Sequence, residues 1–318
     1  MLDDFDDICV TTEAELPLEL FGVKSYTPIH FSKASDVENY LRNVLSTTRV
    51  TTWKLEETHV LHHCNQIGYP ISGPRFVEVL LSVYGMTYKP NAQVVIYKAC
   101  PFMPWHIPES INHFPQAKFL HIIRDPRAVF YSQMKSIDPF TGKPFSRSAL
   151  KTAMDWKKAT SLDPSFVEAY VLEVNYENLL AAPEATLKLM LQYLAIGNET
   201  KTQVQGSFAS RMEAADQNLH TAITSDPDQE KISAWEQALS EKNVILMETY
   251  LSEKLLKKGY EKFAVNIKHP LWYKFYVFFA SRFQTIKFFL KRILRVLRAV
   301  LSNPTYLMRK SILKVNNG

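Results

Sequence analysis

The stretch from Lys118 to Ser136 constrains the fold of this chain most, because three kinds of local structure are predicted within it. Phe119 to Ile123 is a short apolar run, typical of a strand that is buried on both faces. Arg124-Asp125-Pro126-Arg127 then ends the strand, because proline fixes φ, lacks an N–H and is tolerated in the first turn of a helix. The predicted order is therefore strand, turn and helix, with the helix continuing through Ser132 and Lys135.

This turn is suited to binding an anion. Arg124 would lie at the carboxyl end of the strand and Ser132 about two turns into the helix, so both side chains can converge on one group together with the N–H groups of the helix start. A phosphate is the natural candidate. The alternative is that Asp125 and Arg127 only cap the helix and pair with each other on a solvated turn.

Three motifs resemble those of sulfotransferases that use 3′-phosphoadenosine 5′-phosphosulfate (PAPS), and they follow one another in the order found in that family. Arg124 and Ser132 stand at the separation found in that family's 3′-phosphate motif. Upstream, Gln93-Val-Val-Ile-Tyr-Lys resembles the family's strand ending in lysine, here Lys98, and downstream Val174-Asn-Tyr-Glu-Asn-Leu-Leu resembles its Tyr-Glu-Asp-Leu segment. The resemblance extends over about residues 26–260 and is closest in motif to tyrosylprotein-type and bacterial sulfotransferases.

The expected fold class is α/β. Alternating apolar strands and amphipathic helices favour a mostly parallel sheet flanked by helices on both faces, with ligands at the carboxyl ends of the strands; the resemblance implies the P-loop-like form of this fold. The domain prediction is an acidic lead-in over 1–25, a sulfotransferase-like α/β domain over 26–261 and a basic amphipathic tail over 262–318.

The resemblance also implies a 5′-phosphosulfate loop between a first strand, Tyr26 to Ser32, and a helix that begins near Tyr40. Lys33 and Ser35 are the candidate donor-binding residues of this loop.

The loop departs from the family pattern in its glycines and its charge. No glycine occurs between Gly22 and Gly68, although glycine lets backbone N–H groups approach a phosphate closely. Asp36 and Glu38 add negative charge where the sulfonated phosphate should bind. Two outcomes stay open: a reshaped loop that still works, or one that no longer holds the reactive end of the donor.

Two side chains are candidates for catalysis. The resemblance places Lys98 beside the bridging oxygen of the donor, where it would stabilise the charge that develops on the leaving group. Glu57 takes the place of the glutamate that is the proposed base of tyrosylprotein sulfotransferases, and His59 stands where that family has arginine. The alternative is that Glu56 and Glu57 are solvated turn residues. His59, His62 and His63 lack a firm ligand spacing, so no metal is expected.

Two later residues complete the candidate donor site. Tyr176 follows a fourth strand predicted over Ala169 to Asn175, and the resemblance implies that it stacks on adenine; a core position is the alternative. Lys231 precedes a Trp-containing helix and is a further candidate for donor contact. Between them, the polar segment 198–230 is predicted to be a mobile loop over the site.

Cysteine usage and the N-terminus predict a cytoplasmic protein. Cys9, Cys64 and Cys100 are odd in number and far apart, so reduced structural thiols are expected rather than disulfides. The acidic start, Met-Leu-Asp-Asp-Phe-Asp-Asp, does not resemble a signal peptide.

The basic charge is concentrated in the tail. Residues 262–318 hold 12 of the 37 Lys and Arg residues and no Asp or Glu, so residues 1–261 carry 25 basic and 32 acidic residues, a net charge of −7. A mildly acidic body argues against a nucleic-acid partner.

Ser281 to Leu301 is predicted to form a basic amphipathic helix with too many charges to span a bilayer, so residues 270–301 are expected to contact an anionic membrane surface. The alternative is a helix packed on the body or on a partner.

The predicted function is transfer of a sulfuryl group from PAPS to a hydroxyl or amine of a small molecule, glycan or lipid, in a peripheral membrane setting. One alternative is a catalytically inactive relative that binds nucleotide, a membrane or a partner without transfer. Another is a membrane-surface protein with no nucleotide.

Overall fold

The structure is a computed structural model that describes residues 1–23, 29–99, 106–138, 142–197, 207–212, 228–263 and 271–302. The chain divides into two compact units: unit 1 comprises Met1–Arg124 and Ala159–Ser233, and unit 2 comprises Asp125–Lys158 and Ala234–Gly318. Several predictions fall outside the described residues. They concern the start of the first strand at 26–28, the thiol of Cys100 and most of the segment 198–230.

The strands are short. They are β1 (Ile8–Val10), β2 (His30–Phe31), β3 (Ile71–Ser72), β4 (Val94–Ile96), β5 (Phe119–Ile123), β6 (Ile137–Asp138), β7 (Lys143–Pro144) and β8 (Val171–Asn175).

The helices make up most of the described chain. They are α1 (Ala34–Asn43), α2 (Glu57–Ile67), α3 (Gly73–Tyr88), α4 (Ile107–Ser110), α5 (Pro126–Lys135), α6 (Ala149–Ala159), α7 (Pro164–Tyr170), α8 (Tyr176–Ala181), α9 (Pro183–Leu194), α10 (Ser207–Ser210), α11 (Glu230–Ala238), α12 (Glu241–Leu251), α13 (Glu253–Lys257) and α14 (Leu271–Ser302).

The strands pair two by two. β1 runs parallel to β4 and β5 parallel to β8, whereas β2–β3 and β6–β7 are antiparallel. The α/β class and parallel pairing agree with the sequence prediction, but the single, mostly parallel sheet is not found among the described residues. The first predicted strand is reduced to His30–Phe31 in an antiparallel pair. Phe119–Ile123 was expected to be buried on both faces, yet only Ile123 is buried and Ile122 is half exposed, because β8 is the only strand paired with β5 in the described chain.

The N-terminal segment contributes to the core of unit 1, although the sequence analysis assigned no element to it. Ile8 and Cys9 of β1 are fully buried, and Lys89 Nζ donates hydrogen bonds to the carbonyls of Phe5 and Ile8 at 2.9 Å each. The acidic character of the segment is partly internal, because the buried Asp3 carboxylate is paired with Arg211.

Aromatic side chains fill the centre of unit 1. Trp53 is fully buried, donates its indole N–H to the Thr12 carbonyl at 3.0 Å and packs edge to face on Tyr84. Phe76 of α3 packs on Phe31 with ring centroids 4.7 Å apart. A polar edge inside an apolar core needs a partner, and the carbonyl of Thr12 supplies it for Trp53.

Local sequence signals predict several helix boundaries correctly. α3 begins after Ser72, whose hydroxyl accepts a hydrogen bond from the N–H of Arg75, and carries proline in its first turn. α9 likewise carries proline in its first turn, since it begins at Pro183, and it ends at Leu194. Asp163 caps α7, because its carboxylate accepts hydrogen bonds from the N–H groups of Ser165 and Phe166.

The two described cysteines agree with the thiol prediction. Cys9 and Cys64 are free and buried. Burial raises the pKa of the Cys64 thiol to about 11, so this group is protonated at neutral pH.

Unit 2 is held by a buried ion-pair cluster at the start of α5. The Asp125 carboxylate accepts a hydrogen bond from the N–H of Arg127 at 2.8 Å and pairs with its guanidinium at 2.6 Å. Arg127 also reaches Glu248 of α12 at 2.5 Å and stacks on Trp235 at 4.1 Å. Asp125 and Arg127 therefore do cap and pair, as the alternative for this turn proposed, but the pair is buried rather than solvated.

A long helix, α14, runs from Leu271 to Ser302, over the residues for which the tail helix was predicted. Within unit 2, its buried residues include Val277 and Ser281, and Gln284 donates a hydrogen bond to Ser148 Oγ at 3.2 Å. In the described part of the chain, no helix has the length and apolar content needed to cross a bilayer.

Arg127→Ala should destabilise the protein by about 3–5 kcal/mol, because it leaves two buried carboxylates without their cation. Urea unfolding would measure the loss. Arg75→Ala is the matched control, since the Arg75–Glu78 pair is exposed and should contribute less than about 1 kcal/mol. Equal losses in the two variants would show that the buried cluster does not hold this turn.

Candidate functional site

Arg124 follows directly after β5 and is oriented by two contacts within unit 1. Its guanidinium carbon lies 4.5 Å from the centre of the Tyr176 ring, and Nη2 donates a hydrogen bond to the carbonyl of Lys231 at 2.9 Å. Tyr176 begins α8 directly after β8, which is paired in parallel with β5. The carboxyl ends of the two parallel strands therefore bring both predicted residues together.

Three of the predicted donor-binding residues thus form one cluster: Arg124, Tyr176 and Lys231. Arg124 covers one face of the Tyr176 ring, so an adenine could stack only on the opposite face or in place of the guanidinium. Lys231 contributes its backbone carbonyl, while its ammonium group lies 3.6 Å from Asp228 Oδ2. Lys231 was predicted to contact the donor, and that role stays a prediction.

Ser132 is an exposed residue of α5 in unit 2, whereas Arg124 is the last residue of the first segment of unit 1. Its predicted part in the 3′-phosphate clamp stays a prediction.

Lys98 lies two residues after β4 and pairs with Glu13, a residue that sequence reasoning missed. Its ammonium group is 3.7 Å from Glu13 Oε2, and both side chains are about one-third exposed. Glu13 follows β1, which is parallel to β4. Glu13 and Lys98 therefore both lie beyond the carboxyl ends of this pair of strands. The backbone N–H of Lys98 donates to Thr11 Oγ1 at 3.0 Å, and Phe208 lies under the ammonium group at 5.8 Å.

Glu57 is the first residue of α2 and pairs with Arg42 of α1. Arg42 Nη2 lies 2.7 Å from Oε1 and Nε lies 3.3 Å from Oε2, so both carboxylate oxygens accept hydrogen bonds from one guanidinium. Glu57 is partly exposed, and this contact raises the pKa of Arg42. A guanidinium therefore lies beside Glu57, and it comes from Arg42. In the segment that this part of the sequence resembles, an arginine stands at the position of His59.

The predicted 5′-phosphosulfate loop is largely helical. α1 begins at Ala34, not near Tyr40, so Ser35 lies in its first turn and Lys33 at its N-cap, both exposed. The Asp36 carboxylate reaches back and accepts hydrogen bonds from the N–H groups of Ser32 at 2.8 Å and Lys33 at 3.2 Å. The helix start is the reason for the difference, because Asp36 provides the acceptor for the N–H of the N-cap residue Lys33 and for that of Ser32 before it.

Sequence reasoning missed Glu13 and Arg42 and underestimated Asp36. Glu13 follows a strand of only three residues that was hidden in an acidic segment. Arg42 belongs to the polar face of an ordinary helix, and its partner is 15 residues away. Asp36 did carry a signal, since an acidic residue in the first turn of a helix is a common capping group. Among the described residues, no group of three or more His, Cys, Asp and Glu side chains is arranged to hold a metal.

Comparisons with known proteins place the chain in a family. A model described as the Sulfotransferase family matches residues 17–199. Among solved structures, the chain is similar to the "Sulfotransferase Domain from the Curacin Biosynthetic Pathway", with 13% identity over 82% of this chain and 91% of that one and a TM-score of 0.51. It is also similar to the "Sulfotransferase Domain from the Synechococcus PCC 7002 Olefin Synthase", with 15% identity, 76% and 94% coverage and a TM-score of 0.41. A search of curated proteins gave no match.

The family model spans more than half of the chain, so the protein belongs to the sulfotransferase family. At 13% identity, the similarity to the sulfotransferase domain from the curacin pathway shows a shared fold and no more.

Asp36→Ala should destabilise the protein by about 1 kcal/mol, because the N–H groups of Ser32 and Lys33 lose their acceptor. Ser35→Ala, one position earlier in the same helix, is the control and should change stability by less than about 0.5 kcal/mol. Urea unfolding of both variants makes the comparison. A larger effect at Ser35 would mean that Asp36 is not the capping group.

Proposed function

We propose that the protein transfers a sulfuryl group from PAPS to a hydroxyl or amine acceptor. The observation that carries this proposal is the placement of Arg124 on Tyr176 at the ends of two parallel strands, in a chain that belongs to the sulfotransferase family. A positioned guanidinium suits a phosphate, and a neighbouring aromatic ring suits a base. The acceptor class is a small molecule, a glycan or a lipid presented at a membrane surface.

The proposed reaction is an in-line displacement at sulfur. The acceptor oxygen or nitrogen forms a bond to sulfur while the bond from sulfur to the bridging oxygen of the donor breaks. Adenosine 3′,5′-bisphosphate leaves with the electron pair, and the proton of the acceptor passes to a carboxylate. Glu57 is the proposed base, and Lys98 would stabilise the charge on the leaving oxygen.

The ion pair of Lys98 with Glu13 bears on this mechanism. Donor binding would bring further negative charge to Lys98, so the ammonium would exchange part of its contact with Glu13 for the donor. Glu13 therefore serves as a positioning residue that holds Lys98 at the end of β4 until the donor binds.

A second candidate function is a non-catalytic relative that binds nucleotide without transfer. The specific observation in its favour is the Asp36 carboxylate, which already accepts the N–H groups at the start of α1. In the family pattern these groups would face the 5′ end of the donor, so PAPS would have to displace a carboxylate there.

Calorimetric titration of the full chain with adenosine 3′,5′-bisphosphate and with PAPS separates the two functions. Binding of both ligands, with transfer from labelled PAPS to phenols, amino sugars or lipids, supports the enzyme. Binding of the bisphosphate without tighter PAPS binding or transfer supports the non-catalytic relative. If neither ligand binds, the donor assignment is wrong.

Arg124→Ala should weaken binding of adenosine 3′,5′-bisphosphate by about 1.5–3 kcal/mol, the scale of a lost hydrogen bond to a charged group. The same titration measures the change, and Arg75→Ala controls for the loss of a positive charge elsewhere. Urea unfolding should accompany it, because Arg124 also contacts Tyr176. Unchanged affinity in a folded variant would remove Arg124 from the binding site.

Glu57→Gln should lower kcat about 100-fold or more while leaving the KM for PAPS unchanged, because the variant keeps the shape of the side chain but cannot take a proton. The fastest acceptor from the transfer screen would be used. Glu13→Gln is the matched control, and its expected loss is smaller, about tenfold or less. A larger loss of kcat in Glu13→Gln than in Glu57→Gln would indicate that Glu13 is the base.

A further inference from the structure

Helix α14 exposes a continuous apolar stripe to solvent. Trp272, Phe275, Phe279, Phe283, Ile286 and Leu290 recur at spacings of three and four residues and are each more than half exposed, from 53% to 67%. Residues with this spacing share one side of a helix, so the six side chains form one surface about 27 Å long, here called the outer stripe. A stripe of this size on a water-exposed helix marks an interaction surface.

The outer stripe is not the face by which α14 packs within unit 2. Val277 and Ser281 are buried, with 2% and 7% of their surfaces exposed. At about 100° of rotation for each residue, they lie roughly opposite Phe279 and Phe283 on the helix. The helix therefore uses one side for packing and presents aromatic and aliphatic groups on the other.

Basic side chains border the outer stripe on both sides. Arg282 and Lys287 are exposed, and the same rotation places them at opposite margins of the stripe. The Arg282 guanidinium carbon lies 5.3 Å from the centre of the Phe278 ring, so this charge is next to an exposed aromatic side chain of the same helix. Arg and Lys stems in this arrangement can lie along acyl chains while their charged ends reach phosphate groups.

Charge distinguishes between possible occupants of the stripe. Residues 262–318 carry 12 basic and no acidic side chains, so joining two copies through their stripes would bring together strongly like-charged segments. An anionic bilayer offers both an apolar interior and negative headgroups, and thus matches the stripe and its borders together.

We propose that the outer stripe of α14 inserts into the surface of an anionic bilayer, with the helix lying in the plane of the membrane and Arg282 and Lys287 at the level of the headgroups. The proposed membrane binding by the outer stripe does not require sulfuryl transfer. Vesicle binding by a protein that fails to bind nucleotide would leave it intact, while loss of vesicle binding would leave the proposed transfer reaction untouched.

The test uses the full chain and sedimentation with vesicles of phosphatidylcholine, with or without phosphatidylserine. Phe279→Asp with Phe283→Asp should lower partitioning onto the anionic vesicles about tenfold or more, because the variant places two carboxylates in the inserted face. Phe145→Asp with Leu256→Asp is the matched control, since both residues are exposed outside α14. The control should stay within about twofold of the unsubstituted protein.

The borders need a separate pair of variants. Arg282→Gln with Lys287→Gln should weaken binding to anionic vesicles about thirtyfold and have little effect on phosphatidylcholine alone, because each basic group near such a surface contributes about 1 kcal/mol. Lys242→Gln with Lys257→Gln removes the same charge from exposed positions elsewhere.

Unchanged vesicle binding in the Phe279/Phe283 variant would overturn the proposal. So would sedimentation velocity showing that the unsubstituted protein self-associates through the stripe without binding vesicles. Binding of both vesicle types with equal affinity would also overturn it, because an anionic partner is part of the claim.

Discussion

The buried pairing of Arg127 with Asp125 and Glu248 is the interaction on which the central motif of this protein depends. One guanidinium neutralises two carboxylates where water is nearly excluded, and Trp235 covers its face. Burying such charges is favourable only when each has a partner, so the three side chains are fixed together. Asp125 also caps α5, which ties the position of the helix start to this cluster. The two arginines of one four-residue turn therefore have different tasks: Arg127 organises unit 2, while Arg124 lies on Tyr176 in unit 1.

A similar competition between structure and ligand occurs at the start of α1. N–H groups at a helix start need an acceptor, which can be a bound anion or a protein carboxylate. Asp36 is that carboxylate here, and it removes the need for a glycine-rich backbone that wraps around a phosphate. The same carboxylate that stabilises the start of α1 would therefore oppose the proposed binding of a sulfonated phosphate there. The proposed transfer from PAPS requires that the free energy of binding its sulfonated phosphate exceed the free energy lost when the Asp36 carboxylate is displaced.

Local signals in the sequence predicted the helices better than the sheet. The limits of α9 and the start of α3 follow from proline, capping and periodicity, which act within a few residues. The choice of strand partners is a long-range property, so the antiparallel pairing of His30–Phe31 and the short ladder β1–β4 could not be derived from the pattern. The same distinction holds at the site. Arg124 and Tyr176 meet because each directly follows a predicted strand, whereas the partners of Glu57 and Lys98 come from elements distant in sequence.

The tail helix packs within unit 2 and still leaves a large apolar face exposed. A basic amphipathic helix was expected either to pack on protein or to contact a membrane, because one apolar face can be used only once. α14 has a small packing face around Val277 and Ser281 and keeps its large aromatic side chains on the other side. Packing thus costs the helix little of its apolar surface. At the proposed anionic membrane, the body with its net charge of −7 would be repelled and the basic tail attracted, so electrostatics alone would favour an approach led by α14.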